Sequence, residues 1–420
     1  MTHRQPLYVQ KLTLQDIRCF EHLEIEFGKG ESIVIIGDNG DGKSTVLRAL
    51  AMGLCDESSA SALFRELHGD YVRSDPNVQH GTITVDLGGS WQSNDRFRIQ
   101  TTVQSLDAFE RVEQALFDLS SGSSKCLKQD EFPWERIFAS AYGPGIRVQG
   151  TSDYEYYLTV DAVYPLFRYD VLLQNPELVI RRLVDSAQRR GRGGGERVLD
   201  GVKQLLSKIL QLGRSDSLFL DRTGIRLRQL GRDVGLSALA DGYRGTVTWI
   251  LDLLGWWFVY RDGKTFRFRD VRGVVFIDEI EQHLHPRWQR NIMRLLTESF
   301  PRVQFVATTH SPLVASGCEN VAVHNITKGS HRVENPFGWL AEDVYRMMGL
   351  QTTRSDDLAS RLEEFQRLDL KRLQRKASRS ELAKIRRIRQ GLRQLPADDP
   401  IQILSELRNL RQVLERASDE

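Results

Sequence analysis

The stretch "SIVIIGDNGDGKSTVLRAL", residues 32–50, constrains this chain more than any other. A continuous apolar run suits a central strand covered on both faces. "KSTVLRALAMGL" then has the pattern of a helix. The loop between them fits G-x-x-x-x-G-K-[ST] with Gly37, Gly42, Lys43 and Ser44. Glycines let backbone N–H groups close around phosphates, and a helix N-terminus adds partial positive charge. Gly37, Asp38, Asn39, Gly40, Asp41, Gly42, Lys43, Ser44 and Thr45 are therefore the expected phosphate-binding segment. Lys43 is expected to reach the β- and γ-phosphates and the Ser44 hydroxyl to ligate Mg²⁺. ATP and Mg²⁺ are the cofactors this pattern calls for.

Two later strands carry the matching chemistry. In "VVFIDEIEQHLHP" four apolar residues lead to Asp278, placed to hold Mg²⁺ through water at a strand end. Glu279 beside it is placed to polarise the attacking water, a role Asp278 cannot share while engaged by the metal. "FVATTHSP" ends another apolar run in His310, well placed to contact the γ-phosphate. His283 and His285 flank Leu284, but no third ligand at zinc-like spacing stands near, so both read as parts of a turn.

The rest of the chain fixes the organisation. Alternation in "LEIEF" and across 81–103 predicts half-exposed strands, the latter a hairpin turning at "GGSWQSND". Residues 170–212 read as helical, interrupted at "RRGRGGGERV", where consecutive glycines lose too much backbone entropy to hold a helix. "LFLDRTGIRLRQL" reads as a short hairpin, "PRWQRNIMRLLTESF" as one helix, and 356–420 as helix broken at "LPADDP". Segment 361–393 holds twelve Lys/Arg against four Asp/Glu, while the whole chain carries only +2. Such a surface is a solvated face, a phosphate-backbone contact or a dock for an acidic partner. The four cysteines form no CxxC pair, which suits a reducing cytoplasm. No signal peptide is read at the N-terminus and no apolar run reaches membrane length.

"GDNGDGKST", "FIDEIEQHLHPRWQ" and "FVATTHSP" resemble the ABC-class ATPases of the SMC, RecF and OLD kind. In particular they resemble the soluble bacterial AAA-ATPase group that includes the ATPase subunits of Septu-type and retron-associated anti-phage systems. "LTLQDIRCFEHLEIEF" and "FASAYGPGIR" share that resemblance, which covers roughly residues 7–355. It implies an α/β P-loop NTPase of ABC-ATPase head type with a small antiparallel β subdomain, a helical signature lobe and a C-terminal helical module. The expected division is a head at 1–335, with the β subdomain about 81–104 and the helical lobe about 165–250, and a basic accessory module at 336–420.

In such proteins two heads pair head-to-tail around ATP, so a homodimer or higher homo-oligomer is implied. The signature of the second head corresponds to "LADGYR" at 239–244, with Ala240, Asp241 and Gly242 facing the partner's nucleotide. Ala240 stands where a serine is usual; a helix cap is the alternative role for this segment. Gln149 falls where the fold has its Mg²⁺-sensing glutamine, or is a surface glutamine. Arg18 and Phe20 lie on the segment that approaches base and ribose, or are a surface arginine and a core phenylalanine. The implied function is ATP binding and hydrolysis that regulates a separate nuclease effector in prokaryotic antiviral defence. A RecF-like ATP-switched DNA-repair factor and a scaffold with a structural ATP site are the alternatives, and DNA is a further candidate partner.

Overall fold

The computed structural model describes residues 5–67, 71–89, 94–106, 109–144, 154–168, 170–189, 191, 193–213, 217–221, 224–229, 232–264, 266–327, 329–349, 356–374 and 376–392. Two compact units form, Met1–Gly349 and Leu350–Glu420.

The first unit is built on a six-stranded sheet. Its strands run in the order His331–Val333, Ala322–Asn325, Ile33–Ile36, Val303–Thr308, Gly273–Ile277, Ala139–Tyr142. Every neighbouring pair is parallel except the first. The apolar runs are continuous because both faces are covered. Ile33, Ile35, Phe276 and Val306 face a core shared with the Lys43–Gly53 helix, while Val34, Ile36, Val275 and Phe305 face a second core. That second core is filled by the helices Pro176–Gln188, Gly194–Ile209, Asp241–Tyr260 and Ile292–Ser299.

The hairpin expected at 81–103 is the middle of a larger antiparallel sheet. Six strands pair in the order Phe20–Glu26, Tyr8–Ile17, His80–Gly88, Arg96–Leu106, Phe109–Asp118, Lys125–Leu127. The second expected hairpin, Ser217–Asp221 with Gly224–Gln229, gains a third strand, Arg232–Gly235.

Three helical expectations need correction. The break near residue 190 is shorter than read: Gly193 sits in the left-handed region at φ 73°, and the next helix starts at Gly194. Burial of Val202, Leu205, Leu206 and Ile209 holds that helix, which offsets the entropy of its first two glycines. The helix expected over 286–300 is two, Pro286–Gln289 and Ile292–Ser299. The basic C-terminal helix breaks before "LPADDP", into Asp356–Leu373 and Arg379–Leu392. There Ser378 Oγ accepts from Glu381 N–H at 3.2 Å and Glu381 Oε2 accepts from Ser378 N–H at 2.8 Å, a reciprocal capping box that starts a new helix. "LPADDP" itself lies outside the described residues.

The stretch "TWILDLLGWWFVY" is a core helix in this fold, and among the described residues no helix is long and apolar enough to cross a membrane. Its one acid, Asp252, is 1% exposed. Asp252 accepts from the Tyr142 hydroxyl at 3.0 Å and from Gln174 N–H at 2.9 Å, tying the helix to the sheet's edge strand. Burial pushes its carboxyl up to about 6, against the pull of these hydrogen bonds. A raised carboxyl contributes stability below its unfolded pKa of about 4 that is lost as pH rises through the folded value. Asp252→Asn keeps an acceptor and removes the charge. It should therefore raise stability by roughly 1–3 kcal/mol at pH 8 and by much less at pH 4.5, as read by thermal melts at the two pH values.

Candidate active site

The phosphate loop leaves the buried strand Ile33–Ile36 and enters the helix at Lys43. Gly40 and Gly42 take φ of 88° and 90°, a region L side chains rarely adopt. At Gly42 a Cβ would also stand 2.6 Å from both Cys19 Sγ and the Phe20 ring. The turn carrying Arg18, Cys19 and Phe20 thus packs directly on the loop. Phe20 is buried there, and the Arg18 guanidinium lies 5.4 Å over the Tyr71 ring.

Asp41 shapes the loop from inside. Its Oδ2 accepts from Asp38 N–H at 2.6 Å and from the Thr327 hydroxyl at 2.6 Å. Asn39 N–H donates to Asp38 Oδ1 at 2.7 Å. The Lys43 ammonium donates to the carbonyls of Gly37 at 2.9 Å and Asp38 at 2.8 Å, which folds its side chain over the loop. Burial pulls the ammonium below its ordinary value, opposed by Asp41, Asp278, Asp38 and Glu281. The helix start has no side-chain cap, so the first-turn N–H groups are available to an anion held by the loop. Ser44 and Thr45 occupy that first turn.

Asp278 and Glu279 follow the strand Gly273–Ile277, two places along the sheet from the phosphate-loop strand. Val303–Thr308 lies between them and leads directly into Thr309 and His310. The Thr308 hydroxyl donates to Asp278 Oδ1 at 2.5 Å and accepts from Glu279 N–H at 2.8 Å. One hydroxyl therefore sets both acids. Glu279 takes φ 51°, a left-handed conformation unusual for a non-glycine residue and found preferentially at functional sites. Burial pushes its carboxyl up, Asp278 and Glu281 add to the shift, and His310 and Lys43 oppose it.

Glu281 completes the arrangement. Its carboxylate accepts from the Thr309 hydroxyl at 2.7 Å and from His310 N–H at 2.6 Å. Sequence reasoning missed Thr308, Thr309 and Glu281. The signal was present in the paired threonines of "TTHSP" and in the third acid of "IDEIE".

A cavity of about 210 Å³ is lined by Asp241, Gly242 and Arg244 together with Asp278, Glu279 and Gln282. Asp241 and Gly242 thus line one cavity with the two acids of the same chain, while Ala240, Lys43 and Ser44 are not among its lining residues. Ala240 is the N-cap of the Asp241–Tyr260 helix and supplies no side-chain cap. Asp241 pairs with Arg244 at 2.6 Å. Gly242 is required by close approach: a Cβ there would stand 2.2 Å from the His283 carbonyl oxygen. His285 caps the following short helix, its Nδ1 accepting from Arg287 N–H at 3.3 Å. Both histidines are therefore parts of the turn, as expected. Gln149 lies outside the described residues.

Among the described residues no group of three or more His, Cys, Asp or Glu side chains is arranged to hold a metal ion alone. The oxygen donors Ser44 and Asp278 fit Mg²⁺, which keeps waters and shares its shell with phosphate oxygens.

A family described as "AAA domain, putative AbiEii toxin, Type IV TA system" matches residues 32–316. The chain belongs to this family. The match takes in the phosphate loop, both acids and His310. The Septu protein PtuA of Bacillus mycoides is 24% identical over 74% of this chain, which covers 39% of that relative's length. The "Retron Vc95 probable ATPase" of Vibrio cholerae is 21% identical over 81% of this chain and 78% of its own. Among solved structures, the SMC head domain from Thermotoga maritima aligns at 16% identity with a TM-score of 0.45, over 78% of this chain and 98% of that one.

Thr308→Val keeps the side chain's shape and removes the hydroxyl shared by Asp278 and Glu279. The buried groups then lose their partner, and unfolding free energy should fall by about 1–3 kcal/mol in urea titrations. Thr308→Ser should retain most of it, because the shared hydroxyl remains.

Proposed function

We propose that this protein is an ATP-hydrolysing switch of the ABC-head type. The observation that carries it is the placement of three functions at the same ends of three adjacent parallel strands: the phosphate loop, His310, and the Asp278–Glu279 pair. Lys43 and the loop N–H groups bind the β- and γ-phosphates, and Ser44 and Asp278 hold Mg²⁺. Bound Mg²⁺ supplies charge neutralisation for the phosphate oxygens. Glu279 takes the proton of the attacking water, its raised pKa making it a better base than an exposed carboxylate. His310 contacts the γ-phosphate from the neighbouring strand end.

Two heads complete one another on this reading. Ala240, Asp241 and Gly242 of one head face the nucleotide bound to the other, through helix-start N–H groups alone. The names of the relatives, a Septu protein and a retron ATPase, support placing the chain in an antiviral defence system. A separate nuclease effector beside it is what the sequence resemblance implies. The basic C-terminal unit suits docking of such a partner. Within it Lys371 pairs with Glu381 at 2.8 Å and Lys384 with Glu364, while Arg386 and Arg387 remain exposed.

Lys43→Ala should abolish binding of a fluorescent ATP analogue. Glu279→Gln should bind it normally while turnover, read by phosphate release, falls at least about 100-fold. Equal turnover in wild type and Glu279→Gln would remove Glu279 from the chemistry.

Ala240→Ser separates two effects. As an N-cap it should stabilise the protein by roughly 0.5–1 kcal/mol with or without nucleotide. If it faces a partner's γ-phosphate, it should also increase the dimer fraction with ATP in the Glu279→Gln background, measured by sedimentation. Stabilisation without any gain in dimer would mean that the segment is a cap only.

A further inference from the structure

Glu281 stands apart from the two acids assigned to metal and water. Its carboxylate points back to the end of the neighbouring strand rather than toward the cavity beside Asp278, and it holds two donors there. Thr309 Oγ donates to Oε2 at 2.7 Å and His310 N–H donates to Oε1 at 2.6 Å. Thr309 Oγ in turn accepts from Ser311 N–H at 2.9 Å, and Thr309 N–H donates to the Ile35 carbonyl at 3.1 Å, just before the phosphate loop. Two residues beyond Glu281, the His283 carbonyl stands against Gly242 at the start of the Asp241–Tyr260 helix. The turn is stiffened by Gln282 N–H donating to the Glu279 carbonyl at 2.8 Å and Leu284 N–H to the Glu281 carbonyl at 2.9 Å.

We propose that Glu281 is a positioning residue that fixes His310 against the γ-phosphate site and couples it to the Ala240–Gly242 segment. The path is short and made of specific contacts: Gly242 against His283, the 279–284 turn, the Glu281 carboxylate, then the His310 backbone. A shift of the helix start moves the turn, and the carboxylate carries that shift to the histidine. Charge-assisted bonds of this length are stronger than neutral ones and tolerate little misalignment, which suits a rigid link. The inference rests on the proposed hydrolysis for one of its readouts and is independent of it for the other.

The variants are Glu281→Ala and Glu281→Gln. Glutamine keeps a carbonyl oxygen for His310 N–H, and its amide can donate to Thr309 Oγ. Displacing a reacting-site group by about an ångström costs on the order of 100-fold in rate, so Glu281→Ala should lower kcat by roughly 10–100-fold. Affinity for a fluorescent ATP analogue should stay within about threefold, and Glu281→Gln should recover most of kcat. The second readout needs no turnover. In histidine-labelled protein, the His310 imidazole resonance is assigned by its loss in His310→Asn. It should move on adding Mg²⁺ and a non-hydrolysable ATP analogue in wild type and in Glu281→Gln, and fail to move in Glu281→Ala.

Equal kcat and equal His310 shifts in wild type and Glu281→Ala would overturn the inference. So would loss of nucleotide affinity matching the loss of kcat, which would mark Glu281 as part of the fold of the binding loop. If wild type hydrolyses no ATP, the function proposed above fails. The His310 shift then decides the positioning role by itself.

Discussion

Coverage of the parallel sheet on both faces is the constraint from which the site follows. Ile33 to Ile36, Gly273 to Ile277 and Val303 to Thr308 are buried throughout, with helices on one side and a helix and second sheet on the other. A charged side chain inside such a strand would lose its hydration without compensation. Polar chemistry is therefore driven to the strand ends, and parallel strands place their carboxyl ends on one edge. The phosphate loop, the acids and His310 share a rim because the interior excludes them.

At that rim the buried polar groups are satisfied by one another. Thr308 serves Asp278 and Glu279, Glu281 serves Thr309 and His310, and Asp41 serves Asp38 and Thr327. All but the Asp38–Asp41 bond, which lies within the phosphate loop, join the ends of different strands or the segments that follow them. The site is consequently cross-braced, and removal of one member strands its partner in a partly desolvated place. This bracing also holds Glu279 in its left-handed conformation, which an isolated turn would relax.

The phosphate loop was legible in the sequence because its requirements are local: glycines at two positive-φ positions, a lysine, and a helix start. Asp278, Glu279 and His310 were legible because each follows a continuous apolar run. The supporting residues were not. Thr308 and Glu281 acquire their roles only when two strands distant in sequence become neighbours, and nothing in a local window sets which strands pair. The breadth of the antiparallel sheet was missed for another reason: Phe109–Asp118, which pairs with the preceding strand Arg96–Leu106, was not read as a strand. The split at 374–378 was written locally, as S-x-x-E, and was outweighed by a helical charge pattern on both sides.

Ala240 has a sharper meaning with the fold in hand. A serine at a helix N-cap turns its oxygen onto first-turn N–H groups of its own helix, or toward an acceptor outside; alanine does neither. The Asp241–Tyr260 helix tolerates the loss because its stability comes from burial of Val247, Ile250, Leu251, Leu254 and Trp256 rather than from its cap. On the composite-site proposal, the uncapped N–H groups and the helix dipole are then what a second head offers to a γ-phosphate. Such an interaction lacks a hydroxyl and is correspondingly weaker. Head pairing would depend more strongly on whatever else brings two copies together, and a partner protein could control it. The missing oxygen thus fits a switch whose closed state is conditional, and the Gly242–His283 contact gives that closure a route to His310.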